Sequence, residues 1–206
     1  EGWIDYCAPQ LYWSMNFKPA AFGVLLPWWE KNSFGKHLYI GHALYKIKDN
    51  HDAAWNDLQE MPRQIKAVRN SEAHGSIFFR SKFLIANPAS INDKMQDSLY
   101  KVPALIPTMP WKDAVPPNSP TKVVVKQESV GVTLKWKPSA QSPDGQKPSY
   151  YAIYRAKASG KLTLYRVIPA QNKRFYDASG EGCSYQVSAL DRVWNESEKV
   201  MATISY

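Results

Sequence analysis

Three apolar runs in the first half of the chain end in residues suited to a hydroxyl-rich ligand. Asp5–Trp13 (DYCAPQLYW) closes on Gln10, Tyr12 and Trp13. His37–Ile47 (HLYIGHALYKI) closes on His42, Tyr45 and Lys46, and Gly75–Arg80 (GSIFFR) closes on Phe79 and Arg80. Aromatic faces stack on the C–H faces of a sugar ring, while Tyr hydroxyls and Gln amides hydrogen-bond its hydroxyls. Lys46 and Arg80 suit a carboxylate or an acetamido oxygen. Gln10, Tyr12, Trp13, His42, Tyr45, Lys46 and Arg80 are therefore the candidate binding residues. The competing reading is structural: Gln10 and Arg80 satisfy loop carbonyls, Tyr45 and Phe79 close a core layer, and His42 is a hydrogen-bonded core histidine.

Carboxylates are missing from these run ends. Cleaving a glycosidic bond takes two carboxyl groups, one to protonate the leaving oxygen and one to act as base or nucleophile. Asp5 opens its run, Asp49 reads as a turn residue, and Asp52 reads as a helix cap. No catalytic residue is assigned, and the chain alone is expected to be inactive as a hydrolase. Other chemistries find no footing. The four histidines, His37, His42, His51 and His74, form neither HxH nor HExxH, so no metal site is expected. No GxGxxG, GxxxxGK[ST] or GxSxG occurs, which argues against nucleotide binding and esterase chemistry, and no cofactor is expected. Cys7 and Cys183 lie in different predicted domains, so a disulfide between them is not expected.

The elements that position these residues alternate. Strands are predicted over the three runs, and helices over Ala20–Lys31 (weakened by Pro27), from Asp52 to about Ser71, and over Ile91–Tyr100 behind Asn87-Pro88. The second helix reading rests on Ala53, Trp55, Leu58, Ile65 and Val68. Buried strands alternating with helices imply a parallel sheet. Three such units are either a small open α/β sheet or the end of a (β/α)₈ barrel whose other five units lie upstream. Residues 116–120 (PPNSP) punctuate the chain, and beyond them only short strands follow. The expected division is an α/β domain over 1–115, a Pro-rich linker over 116–120, and an all-β sandwich over 121–206. Its seven strands are Lys122–Gln127, Gly131–Lys137, Tyr150–Arg155, Leu162–Ile168, Arg174–Asp177, Cys183–Leu190 and Glu198–Ile204.

Composition narrows the class. An apolar fraction of 44% with 21% charged residues marks a globular chain. A net charge of +8 suits nucleic acid or an anionic polymer. However, Lys122, Lys126, Lys135, Lys137 and Lys161 fall as singles on alternating patterns, which reads as a solvated basic surface, so no nucleic-acid partner is expected. No stretch reaches the 18 apolar residues of a membrane span.

The second domain resembles fibronectin type III. VTLKW supplies a core Trp136, and Tyr185 in the sixth strand is placed to serve as a tyrosine corner. The first domain resembles the end of the glycosyl-hydrolase-like 10 family, also known as domain of unknown function 187. The resemblance is carried by DYCAPQLYW, by WW at Trp28–Trp29, by LYIGHALYKI, by GSIFFR, and by VPALIPTMPW at Val102–Trp111. It implies the last three βα units of a (β/α)₈ barrel, with ligands meeting the C-terminal strand ends, and a bacterial glycoside hydrolase acting on cell-envelope glycans such as peptidoglycan. It also implies a periplasmic, outer-membrane-anchored or extracellular protein, of which this chain is the C-terminal part. The expected partners are a glycan and either the upstream barrel segment or a second copy at the open barrel edge. The alternative is a non-catalytic carbohydrate-binding or scaffolding protein.

Overall fold

His37–Ala43 (β2) carries an apolar or uncharged side chain at nearly every position, and six of its seven residues are buried, which suits a strand covered by neighbours. The computed structural model places it at the centre of a three-stranded parallel sheet and describes residues 2–48, 51–158 and 160–205. Asp49, expected in a turn, lies outside the described residues. The chain divides into two compact units, Glu1–Lys101 and Val102–Tyr206.

In the first unit Tyr6–Cys7 (β1) pairs with β2, Tyr6 opposite His37 and Cys7 opposite Leu38. A bridge between Gln10 and Gly41 keeps that register. Pro9 sits between the two pairings and has no N–H to offer the ladder, so the strand expected over nine residues is broken. Gly75–Phe79 (β3) flanks β2 on the other side, with Tyr39 opposite Gly75 and Ala43 opposite Phe79.

Two helices cross over between the strands, Phe22–Lys31 (α1) and Glu60–Arg69 (α2). Phe22 and Leu26 of α1 and Val68 of α2 pack on Leu11, Leu38 and Ile40. A second cluster joins Trp55, Met61 and Ile65 to Ile91, Met95 and Leu99. The last three lie in Ile91–Lys94 (α3) and the single π turn Met95–Leu99 that continues it. A short helix at Ser81–Ala86, not expected from the sequence, precedes them.

Three sequence expectations change here. The helix expected from Asp52 is two elements: Asp52 caps a 3₁₀ turn, Ala53–Asn56, by accepting from the Ala54 N–H, and α2 starts only at Glu60. Leu58 falls in the gap between them and is exposed rather than part of an apolar stripe. The second strand ends at Ala43 because Leu44–Lys46 coil into another 3₁₀ turn.

The expected partial (β/α)₈ barrel is overturned. What the structure shows is an open sheet ordered β1-β2-β3, with β1 reduced to two ladder residues and an uncovered face that exposes Tyr6, Ile77 and Phe79. Across the whole chain β-sheet predominates, and the helices are few and short.

The second unit is a two-sheet sandwich. Thr121–Gln127 (β4), Val132–Lys137 (β5), Tyr150–Ala156 (β6), Thr163–Pro169 (β7), Arg174–Asp177 (β8) and Ser184–Leu190 (β9) follow in sequence. The final strand expected over Glu198–Ile204 divides into Val200–Met201 (β10) and Thr203–Ser205 (β11). One sheet is ordered β10-β9-β6-β7, the other β11-β4-β5-β8. Inward residues Val123, Leu134, Trp136, Tyr151, Ile153 and Val187 form the core, with Trp136 edge-on to Tyr151 at 5.3 Å. The alternation of VTLKW produces this: Val132, Leu134 and Trp136 point inward, and Lys135 and Lys137 point out.

Residues 102–120 group with the sandwich. Leu105 packs on the cluster of Ala152, Tyr154, Leu164 and Leu190, and the Asn195 amide donates to the Asp113 carbonyl at 3.0 Å. Tyr185 is not a tyrosine corner of the usual kind. Its hydroxyl donates to the Asp177 carboxylate at 2.7 Å rather than to a backbone carbonyl. Cys7 and Cys183 are free thiols.

Candidate functional site

The C-terminal ends of β1, β2 and β3 meet on the uncovered side of the first sheet. Gly41 permits this. A Cβ there would stand 3.0 Å from the Pro9 carbonyl oxygen and 3.4 Å from the Tyr12 ring. With hydrogen in its place, the broken first strand lies close against β2 and Tyr12 folds over it. The Tyr12 ring stacks on Phe79 at 6.0 Å and meets Tyr45 edge-on at the same distance. Tyr45 and Phe79 close the triangle at 6.1 Å. Phe83, on the helix after β3, lies 6.3 Å from Tyr45, and the Arg80 guanidinium sits 5.9 Å from the Phe83 ring. Tyr45, Phe79 and Arg80 are open to solvent, while Tyr12 and Lys46 are half-buried. Burial and the neighbouring Tyr45 push the Tyr12 hydroxyl above its ordinary pKa. At neutral pH it is a protonated donor.

Behind this cluster a polar chain fixes the loop that carries Tyr12. Glu60, buried at the start of α2, accepts from the Met15 N–H at 2.7 Å. The Gln64 amide donates to both the Trp13 carbonyl and Glu60, each at 3.0 Å. Ser14 donates to Asp52 at 2.6 Å. With its amide hydrogens committed, Gln64 has only its oxygen to offer His42, 3.3 Å from Nδ1. His42 therefore carries its proton on Nδ1, and its Nε2 accepts from Ser76 at 2.9 Å. The ring is sandwiched between Phe22 and Phe78. Burial lowers its pKa to about 4 against the opposing hydrogen bond to Gln64. His42 is fully enclosed and presents no surface to solvent.

The seven candidates thus separate. Tyr12, Tyr45 and Arg80 come together, and Lys46 follows in the same turn as Tyr45. Gln10 and Trp13 turn the other way, into a groove of about 490 Å³ against α1 that they share with Val24, Trp28 and Trp29. That groove is almost wholly apolar. Sequence reasoning missed Phe83 as a member of the aromatic cluster and Gly41 as the residue that permits it. A glycine inside an otherwise buried strand was the available signal for Gly41. Among the described residues no three His, Cys, Asp or Glu side chains gather as metal ligands.

The chain is 39% identical over 206 residues to the protein named glycosyl hydrolase YngK of Bacillus subtilis, a match covering 96% of this chain. It is 32% identical over 92 residues to the protein named glycosyl hydrolase DigH of Escherichia coli, covering 41% of this chain and 21% of that protein. Among solved structures, a Fn3-like protein from Clostridium thermocellum is similar at 17% identity and a TM-score of 0.34, covering 44% of this chain and 95% of that one. No protein-family model matches the chain, so the finer resemblance to the glycosyl-hydrolase-like 10 family has no support from that side. The chain spans 40% of the length of YngK, and in sequence it is related to proteins that bear the name glycosyl hydrolase.

Proposed function

We propose that this chain supplies a saccharide-contacting surface to a glycoside hydrolase acting on glycans of the bacterial cell envelope, peptidoglycan strands being the substrate class best suited. The observation that carries this reading is the convergence of Tyr12, Tyr45 and Phe79 with Arg80 at the C-terminal ends of three parallel strands. Exposed aromatic faces take the apolar side of a pyranose, and a guanidinium beside them takes a lactyl carboxylate or an acetamido oxygen. The relationship to proteins named glycosyl hydrolase supports the same chemistry. Envelope glycans lie outside the cytoplasm, so a periplasmic, outer-membrane-anchored or extracellular site of action belongs to this proposal.

The acid pair is supplied from outside the chain. Among the described strand-end residues there is no carboxylate, Asp52 is occupied as a cap, and Glu60 is buried among its donors. The chain alone is expected to bind and not to cleave. A second reading, a non-catalytic carbohydrate-binding or scaffolding protein, draws on the same lack of carboxylates. Hydrolysis of peptidoglycan by a longer protein containing this chain would eliminate it.

The direct test is an NMR titration of the ¹⁵N-labelled chain with N-acetylglucosamine–N-acetylmuramic acid oligomers. Resonances of Tyr12, Tyr45 and Arg80 are expected to shift. Tyr12→Ala and Arg80→Ala are each expected to weaken binding by roughly 1 kcal/mol, about fivefold. Shifts confined to Trp13 and Trp28, or none at millimolar ligand, would sink the assignment.

A further inference from the structure

The lysines that stand as singles in the sequence do not stand alone in the sheet. Alternation sends Lys135 and Lys137 to the outer face of β5, and strand register brings other cations beside them. Lys135 is directly opposite Arg174 of β8 on one side and Val124 of β4 on the other. Lys126, two residues beyond Val124, lies on the same face opposite Thr133. Lys173 adjoins Arg174. Lys126, Lys135, Lys137, Lys173 and Arg174 are all exposed, and none of them makes an ion pair among the described residues. No outward position of β4, β5, β8 or β11 carries an acid, and Asp177 of β8 points inward and is buried.

Two like charges directly opposite in an antiparallel pair destabilise the sheet. The Lys135–Arg174 pair is therefore a cost to the fold that a bound anion would turn into a gain. Beside the pair lies an open concavity of about 470 Å³ lined by Lys135, Trp136, Gln171, Asn172, Lys173 and Arg174. Trp136 turns its side chain into the core, and the other side chains of the lining offer cationic or amide N–H donors and no carboxylate. Cross-strand neighbours sit about 5 Å apart, and alternate residues along a strand about 7 Å apart. The cations thus form a two-dimensional array rather than a single point of charge.

We propose that the outer face of the sheet β11-β4-β5-β8 binds a linear polyanion whose charges are phosphodiesters linking polyols. Arginine paired with lysine suits phosphate oxygens, the guanidinium by its fork and the ammonium as a point charge. Nucleic acid shares the phosphodiester, but single strands are held by stacking their bases on several aromatic side chains. Among the described residues of this face, only Tyr176 is an exposed aromatic residue. A phosphodiester chain without bases fits the surface better. The proposal is independent of the saccharide reading of the first unit, because every residue in it belongs to the second.

The test is titration of the whole chain with a fluorescent glycerol-phosphate oligomer, followed by anisotropy at several salt concentrations. Parallel arms use oligo-deoxythymidine of equal charge and a neutral oligosaccharide. Binding is expected to the glycerol-phosphate oligomer, to fall steeply with salt, and to be absent for the neutral arm. Lys135→Gln and Arg174→Gln should each lower the slope of log affinity against log salt by about one and leave the melting temperature no lower. Lys82→Gln and Lys101→Gln, exposed cations of the first unit, should leave the slope unchanged. Three outcomes overturn the proposal: no binding at low salt, equal loss from the first-unit substitutions, or deoxythymidine bound as tightly as the glycerol-phosphate oligomer.

Discussion

Asp177 is the residue on which the sandwich closes. Its carboxylate accepts from the Tyr185 hydroxyl at 2.7 Å, from Arg155 at 2.8 Å, and from the N–H and hydroxyl of Ser179 at 3.0 and 2.9 Å. Burial pushes its pKa up, but these donors outweigh burial and hold it at about 2, below the ordinary 3.8. A folded pKa below the unfolded one means stability that is full above pH 3.8 and lost as pH falls through 2. The expected loss is about 2 kcal/mol. Replacing the side chain strands Tyr185 and Arg155 together, so Asp177→Ala is expected to cost about 3 kcal/mol in urea unfolding at pH 7. A loss under about 1 kcal/mol would show that the network contributes little. His42 obeys the same sign for a different reason. Its folded pKa of about 4 lies below the ordinary 6.5 because the buried ring resists charge, so its contribution erodes between pH 6.5 and 4, by about 3 kcal/mol in all. Imidazole ¹⁵N shifts should report a neutral ring protonated at Nδ1 down to about pH 5. A ring that titrates near 6.5 would mean that it is not enclosed.

At the scale of elements, the contact between the first strand and β2 depends on Gly41. Gly41→Val is expected to push the Pro9–Tyr12 segment away, cost about 1–3 kcal/mol, and weaken saccharide binding through the displaced Tyr12. Unchanged stability and binding would mean the strand has slack. Such elements differ in how plainly they can be read from residues. Strands with strict alternation, as in VTLKW, are legible because one face is buried and the other is wet. The break at Pro9 was visible, but its extent was not: the pairing lapses after Cys7 and resumes only as the single bridge between Gln10 and Gly41. The 3₁₀ turn at Ala53–Asn56 was hidden because Trp55 is buried as a helical residue would be while the backbone coils more tightly, and the one at Leu44–Lys46 because the buried Leu44 continues the apolar run of the strand before it. The barrel expectation came from resemblance rather than from any periodicity, and the open sheet shows why the residues alone had left the two alternatives unresolved.

For the whole molecule, two units with separate cores predict two unfolding transitions by calorimetry, and residues 102–206 expressed alone should fold. A single transition for the full chain, with an unfolded 102–206 segment, would contradict this. The first unit exposes Trp3, Phe34 and Ile85 almost fully and most of Val24, an apolar load that the whole chain's net charge of +8 only partly offsets. Light scattering should show its weight-average mass rising with concentration. Of the candidate site, the grouping of Tyr12, Tyr45 and Arg80 was legible because all three stand at strand ends in parallel runs. That Gln10 and Trp13 face α1 was not, because the direction of a side chain beyond a broken strand follows the loop and not the pleat. The enclosure of His42 depends on Phe22 and Phe78, which no local pattern ties to it.

The last strand has a mechanical consequence. β11 runs parallel to β4, with Thr203, Ile204 and Ser205 beside Val124, Val125 and Lys126. Tension applied through the entry of β4 and the exit of β11 therefore drags the two strands past each other. Their hydrogen bonds then share the load together instead of opening one after another, as a hairpin's do when its free ends are pulled apart. A tether attached at the two ends of the sandwich should need more force to unravel it than one that peels β4 from β5. The parallel pairing of β4 and β11 thus resists force applied along the strands.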